Sequence, residues 1–122
     1  MVGLGLHILM EFHECEPQRL DDLTLLKTTM SEAAIASGAT IIKSVFHQFS
    51  PQGVTGVVVV AESHIAIHTW PEKNYAAVDY FTCNENMDYK KAFNIIAEVI
   101  GSKTNKYKCI ERGVLEKEKV VV

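Results

Sequence analysis

The stretch VTGVVVVA at residues 54–61 leaves this chain few ways to fold. Successive side chains of a β-strand point to opposite faces, and here Val54, Val58 and Val60 alternate with Val57, Val59 and Ala61. Both faces of the strand are apolar, so both need cover. The flanking sequence supplies neighbours. Residues 41–49 are rich in β-branched and aromatic residues, and Pro51 to Gly53 carries turn chemistry, which predicts two adjacent strands. Residues 64–70 read as a further strand, PEKN as a four-residue loop and residues 75–83, YAAVDYFTC, as the next strand. Loops this short join antiparallel neighbours.

Across residues 3–12, Leu4, Leu6, Ile8, Met10 and Phe12 alternate with positions that include His7 and Glu11, which predicts a strand with one core face. Residues 20–37 then place Leu23, Leu26, Met30 and Ala33 at helical spacing. Asp21 and Asp22 suit the positive end of that helix, and Gly38 suits its C-terminal end. Asp88 can cap a second helix with Phe93, Ile96 and Ile100 on one face, Gly101 closes it, and residues 106–112 read as a last strand. The tail EKEKVVV reads as a loosely held terminus.

The fold class expected is α+β: a two-layer sandwich in which two helices cover one face of an antiparallel sheet. One helix layer cannot bury both sides of residues 54–61. A second subunit against the sheet is the simplest cover, so a homodimer is expected.

Twelve Lys plus Arg against fifteen Asp plus Glu leave a net charge of -3, so the chain lacks the basic footprint of a nucleic-acid binder. No apolar run approaches the roughly 18 to 20 residues that span a bilayer, and MVGLGLHILMEF has neither a basic leader region nor a small-residue cleavage site. A single cytoplasmic domain over residues 1–122 is expected, with no nucleic-acid or membrane partner. Three cysteines without a CxxC pair argue against a disulfide framework or a zinc ribbon. His64 and His68 would converge on a helix but lie about 13 Å apart on a strand at about 3.3 Å per residue, so no metal site is expected. GLGLH lacks the third glycine of a dinucleotide-binding loop.

The polar residues that interrupt the apolar middle are Thr55, Glu62, Ser63, His64, His68, Glu72, Asp79 and Cys83. The reading of Ser63 as a hydrolase nucleophile is weak, because AESHIAIH contains neither GxSxG nor a strand-to-helix turn. Strand register is more informative. If Trp70 and Tyr75 close the PEKN loop as an opposed pair, Thr82 faces Ser63 and Cys83 is a near neighbour of Ser63. His68 then lies about 16 Å along the strand from Ser63, at about 3.3 Å per residue. It either has another task or serves Ser63 of another subunit. From the residues alone, Phe49 reads as an ordinary core aromatic, Glu72 as a loop carboxylate and Cys83 as a small hydrophobe at a strand end.

AESHIAIHTWPEKNYAAVDYFTC resembles the signature of the small bacterial and archaeal S-adenosylmethionine decarboxylase proenzymes. GLGLHILMEFHEC, SGATIIKSVFHQFSPQGVTGVVVVAESH and the later ERG share the likeness, which covers roughly residues 3 to 113. The resemblance implies that the chain cuts itself between Glu62 and Ser63, giving a β chain of residues 1–62 and an α chain of residues 63–122. In that reaction the Ser63 hydroxyl attacks the preceding carbonyl, and the resulting ester eliminates. Dehydroalanine then hydrolyses to a covalent pyruvoyl group, a cofactor made from Ser63 itself. The α-amine of S-adenosylmethionine would form a Schiff base with that ketone, which accepts the electrons released with CO2.

The resemblance also assigns roles. Cys83 becomes the proton donor to carbon, and His68 the proton acceptor during processing, supplied by the partner protomer. Thr55 stands where members commonly carry a serine that holds the oxyanion or ester; it keeps the hydroxyl but adds a methyl and a stiffer χ1. Phe49 would stack on adenine and Glu72 would accept hydrogen bonds from ribose hydroxyls. The implied enzyme is a carboxy-lyase that makes the aminopropyl donor for spermidine and other polyamines, working as a homodimer of cleaved protomers. Two rivals are an arginine or ornithine decarboxylase of the pyruvoyl kind and an uncleaved binding or regulatory subunit. The first would keep Ser63, His68 and Cys83 without needing Phe49 and Glu72. The second would be expected to lose one of those three.

Overall fold

A computed structural model describes residues 2–115; the tail EKEKVVV lies outside the described residues. Six strands, β1 (Gly5–His13), β2 (Ile41–Gln48), β3 (Val54–Val60), β4 (Ser63–Trp70), β5 (Tyr75–Thr82) and β6 (Thr104–Arg112), form one sheet in the order β2-β3-β4-β5-β1-β6. Every pairing is antiparallel. β2 to β5 make the meander that the short loops predict, and β1 pairs with both β5 and β6.

Among the described residues three helices accompany the sheet: α1 (Pro17–Leu20), α2 (Leu23–Ala36) and α3 (Tyr89–Val99). The single helix expected over residues 20–37 is divided at Asp21 and Asp22. Asp22 is extended and its side chain accepts from the Leu25 N–H, so it acts as a cap that starts a new helix. The PEKN loop contains a 3-10 turn, Pro71–Lys73, closed by Asn74 at φ 53°, a left-handed conformation that Asn tolerates. The last strand begins at Thr104, two residues ahead of its expected start.

The core lies between the helices and one sheet face. Ile8, Met10, Phe12, Val58, Ile65, Ile67, Val78 and Tyr80 meet Leu26, Met30 and Ala33 of α2 and Ala92, Phe93 and Ile96 of α3, all buried. Burial pushes the Tyr80 phenol up, and its hydroxyl is satisfied 2.6 Å from Ser37 Oγ. Leu4, at the start of the alternating N-terminal pattern, precedes β1 and is 66% exposed.

The opposite sheet face has a mixed character. Its apolar part includes Val45, Val57 and Val59 together with Leu9 and Phe81, and Val45 and Val59 are 58% and 38% exposed. Strand alternation also puts His7, His13, His47, His64 and His68 there, which is every histidine of the chain. His7 Nε2 lies 3.3 Å from Asp79 Oδ1, and the Tyr75 hydroxyl donates to Glu11 Oε2 at 2.5 Å. Burial, reinforced by that carboxylate, pushes the Tyr75 phenol up to about 12. A surface of this composition is built for polar contact as well as apolar cover. No helix among the described residues is long and apolar enough to cross a membrane.

Candidate active site

β4 and β5 keep one register through eight pairs, from Trp70 opposite Tyr75 to Ser63 opposite Thr82, as the loop-closing pair predicts. β3 and β4 are joined by the two residues Ala61 and Glu62, which puts Val60 opposite Ser63 and Thr55 opposite His68. The tight turn is held on both sides. Ala61 N–H donates to the Thr40 carbonyl at 2.8 Å, and Thr40 N–H donates to Glu62 Oε1 at 3.2 Å. On the other flank, Cys83 N–H donates to the Glu62 carbonyl at 3.0 Å.

That last contact matters chemically. A backbone N–H on the carbonyl preceding Ser63 polarises it and is placed to hold negative charge if the carbon becomes tetrahedral. Ser63 itself has φ 155°, a region that residues other than glycine enter at a cost on the order of 1–3 kcal/mol. The strained residue and the polarised carbonyl therefore lie beside the Cys83 backbone. Cys83 is exposed, and it is free, as are buried Cys15 and exposed Cys109. What this end of the sheet can do is move an acyl group from the Ser63 nitrogen to the Ser63 oxygen, with a thiol alongside as a proton source.

A second group forms at the other end of β4. Thr55 Oγ1 lies 3.2 Å from His68 Nδ1 across the β3–β4 pair. In the tautomer that donates Nδ1–H to Thr55, Nε2 is the basic atom and the threonine O–H is free to donate elsewhere. Phe49, Thr55, His68, Trp70 and Glu72 line one cavity of about 310 Å³. Phe49 reaches it from the loop between β2 and β3, with its ring 4.6 Å from that of His47, and Glu72 from the 3-10 turn. Sequence reasoning took Trp70 only as a loop-closing residue. Its tilted contact with Tyr75 at 5.4 Å does close the loop, but its i, i+2 spacing from His68 also puts both on one face.

The structure thus gathers Phe49, Thr55, His68 and Glu72 in one place and Glu62, Ser63 and Cys83 in another. β4 has no bulge between them, so Ser63 and His68 stay about 16 Å apart at about 3.3 Å per residue. The odd spacing would also turn them to opposite faces of a regular strand, and the positive φ at Ser63 is where β4 departs from regularity. Among the described residues no three His, Cys, Asp or Glu side chains converge to hold a metal ion.

An open sheet backed by helices carries a serine with a polarised carbonyl before it at one end and an aromatic-lined cavity at the other, a candidate two-part site. A sequence profile of the S-adenosylmethionine decarboxylase family matches residues 6–113. The chain belongs to that family. It is 50% identical over 103 residues to the S-adenosylmethionine decarboxylase proenzyme of Thermotoga maritima, covering 84% of this chain and 79% of that one. It is 48% identical over all 122 residues to the proenzyme of the same name from Thermoanaerobacter pseudethanolicus, covering 98% of that chain. The solved structure of the adenosylmethionine decarboxylase from Aquifex aeolicus VF5 superposes with a TM-score of 0.85 at 36% identity, over 94% of this chain and 95% of that one. The Trypanosoma brucei AdoMetDC-delta26 monomer, at 15% identity and a TM-score of 0.59 over 84% of this chain and 44% of that one, shares the fold.

Proposed function

We propose that this protein is a self-processing decarboxylase of S-adenosylmethionine, cut between Glu62 and Ser63, whose site is completed by a second copy of the chain. The observation that carries the reading is the Glu62–Ser63 junction: a strained serine behind a carbonyl that already accepts the Cys83 N–H at 3.0 Å. Ser63 Oγ attacks that carbonyl, the amide C–N bond breaks and an ester C–O bond forms. Removal of the Ser63 α-proton then expels the Glu62 carboxylate, leaving dehydroalanine, which loses ammonia to water. His68 Nε2 is the base for that proton, with Thr55 fixing the ring through Nδ1 and lending its own hydroxyl to the oxyanion.

Ser63 fits the pyruvoyl group that this family membership implies, since it opens β4, is half-buried and lies next to Cys83. When present, that group supplies a carbonyl that captures the substrate amine and takes up electrons as CO2 departs. The protein's own contribution is binding and proton delivery: Phe49 and Trp70 form an aromatic boundary for the nucleoside, Glu72 accepts its ribose hydroxyls, and Cys83 returns a proton to carbon. An arginine or ornithine substrate would leave an aromatic cavity with a carboxylate rim without a use. The product is the aminopropyl donor for spermidine and other polyamines, and the working form is a cytoplasmic homodimer of cleaved protomers.

Intact-mass measurement under denaturing conditions tests the reading. Two species, residues 1–62 and 63–122, are expected, the second with a blocked terminus in place of serine. A single full-length species after long incubation at the working temperature would overturn self-processing.

A further inference from the structure

Phe49 sits in the loop between β2 and β3, outside any strand and 47% exposed, so its direction depends on what holds that loop. We infer that Asp21, at the corner between α1 and α2, is a positioning residue for the substrate: its carboxylate clamps the loop and so aims Phe49. The inference rests on the reading of Phe49 as the nucleoside-stacking ring.

One oxygen holds both ends of the loop. Asp21 Oδ1 accepts from Gln48 Nε2 at 2.8 Å, on the residue before Phe49, and from Gly53 N–H at 2.9 Å, on the residue before β3. Gln48 Nε2 also donates to the Gly53 carbonyl at 3.1 Å, and Phe49 N–H donates to the same carbonyl at 2.8 Å. Gly53 has φ 104°, and a Cβ there would come within 3.2 Å of the Thr69 carbonyl, so the corner needs glycine and presses against β4.

Asp21 is itself tied to the sheet beside His68. The buried Thr69 hydroxyl donates to the carbonyl of Leu20 at 2.7 Å and accepts from Val54 N–H at 2.9 Å. On its other side Asp22 caps α2. The corner therefore fixes Phe49 relative to the strand position that carries His68 and Trp70. Hydrogen bonds to an ionised carboxylate are about twice as strong as neutral ones, and a loop held before binding spares the ordering cost at binding.

The test uses cleaved protein and two readouts: calorimetric binding of adenosine, which requires no chemistry, and KM against kcat for S-adenosylmethionine. Phe49→Ala is expected to weaken adenosine about ten-fold, the size of one base-aromatic stack. Asp21→Ala is expected to weaken it about three- to ten-fold and to raise KM by a similar factor with kcat unchanged. Asp21→Asn keeps the acceptor oxygen without its charge and should retain a good part of the binding that Asp21→Ala loses, whereas a charge effect on the helix ends would be lost equally in both variants. In the Phe49→Ala background Asp21→Ala should cost nothing further, since its target is gone. Gln48→Leu breaks the clamp from the loop side and should reproduce Asp21→Ala even if that variant folds poorly. A normal Phe49→Ala chain would sink the stacking reading itself. A weakened Phe49→Ala with normal Asp21→Ala and Gln48→Leu, additive losses in the double variant, or failure of Asp21→Ala to cleave while Phe49→Ala cleaves, would each overturn the role of Asp21.

Discussion

Mixing two inactive variants measures whether Ser63 is served by a second chain. Ser63→Ala has no attacking oxygen and His68→Ala has no base. Within one protomer the two residues stand about 16 Å apart on a strand without bulges, against the roughly 3 Å of a hydrogen bond, so neither variant can rescue itself. Unfolding both, mixing them equally and refolding distributes chains at random into dimers. About half of the His68→Ala chains then sit beside a Ser63→Ala partner whose His68 is intact, and only those can be cut. Mass spectrometry should show about half of the His68→Ala chains cleaved, a quarter of all chains. The stoichiometry gives a second handle: about a five-fold excess of Ser63→Ala should raise the cleaved share of His68→Ala to about five-sixths. Random pairing can be checked with a mass tag on one variant. Heterodimers without cleavage, or a cleaved share that ignores the ratio, would refute the shared site and return His68 to its own chain.

Cys83→Ala should cleave and bind substrate but turn over poorly, or consume itself by protonating the wrong carbon, because the carbanion lacks a nearby acid; wild-type turnover would move the donor elsewhere. Thr55→Val should slow cleavage at least about 10²-fold, since it removes both the 3.2 Å partner of His68 Nδ1 and the hydroxyl lent to the oxyanion, while Thr55→Ser should process at least as fast as wild type. Thr69→Val should cost about 1–3 kcal/mol in denaturant unfolding with an unchanged slope, since it strands the buried Leu20 carbonyl and Val54 N–H at nearly constant volume. A cost within a few tenths would mean the corner relaxes.

The β4–β5 register was legible because it follows from one loop: once Trp70 and Tyr75 are opposed, every pair to Ser63 and Thr82 is set. The same step places Cys83 opposite Glu62, although only the structure shows the N–H meeting the carbonyl. The α1–α2 break was hidden because Asp21 and Asp22 each suit a helix start, and pattern alone cannot say that Asp22 takes the cap while Asp21 turns to a loop 27 residues away. The meeting of Thr55 with His68 depends on the length of the β3–β4 turn. Reading β4 from His64 obscured the two-residue turn that brings them opposite each other. The polar part of the open face is legible at His7 and Glu11, which alternation puts on the non-core side of β1, whereas the strand order that sets His64 and His68 on the same face needs the structure.

Three contributions set the rate of the proposed cut. Strain at Ser63, on the order of 1–3 kcal/mol, accelerates cleavage by at most about 5- to 150-fold if all of it is released in the transition state. A positioned base contributes about 10²- to 10⁴-fold and an oxyanion donor about 10²- to 10³-fold. One such donor, the Cys83 N–H, is in place within the single chain. The base is not, because His68 is fixed at the far end of β4. On the proposed mechanism a lone protomer is primed but slow, and pairing supplies the missing factor. Cleavage should then be second order in protein at low concentration and level off once dimers saturate. Following the full-length band over a dilution series of freshly refolded chain measures this directly. A rate constant independent of concentration down to dilutions at which sedimentation shows monomers would mean that strain and the Cys83 N–H suffice, and that assembly plays no part in the cut.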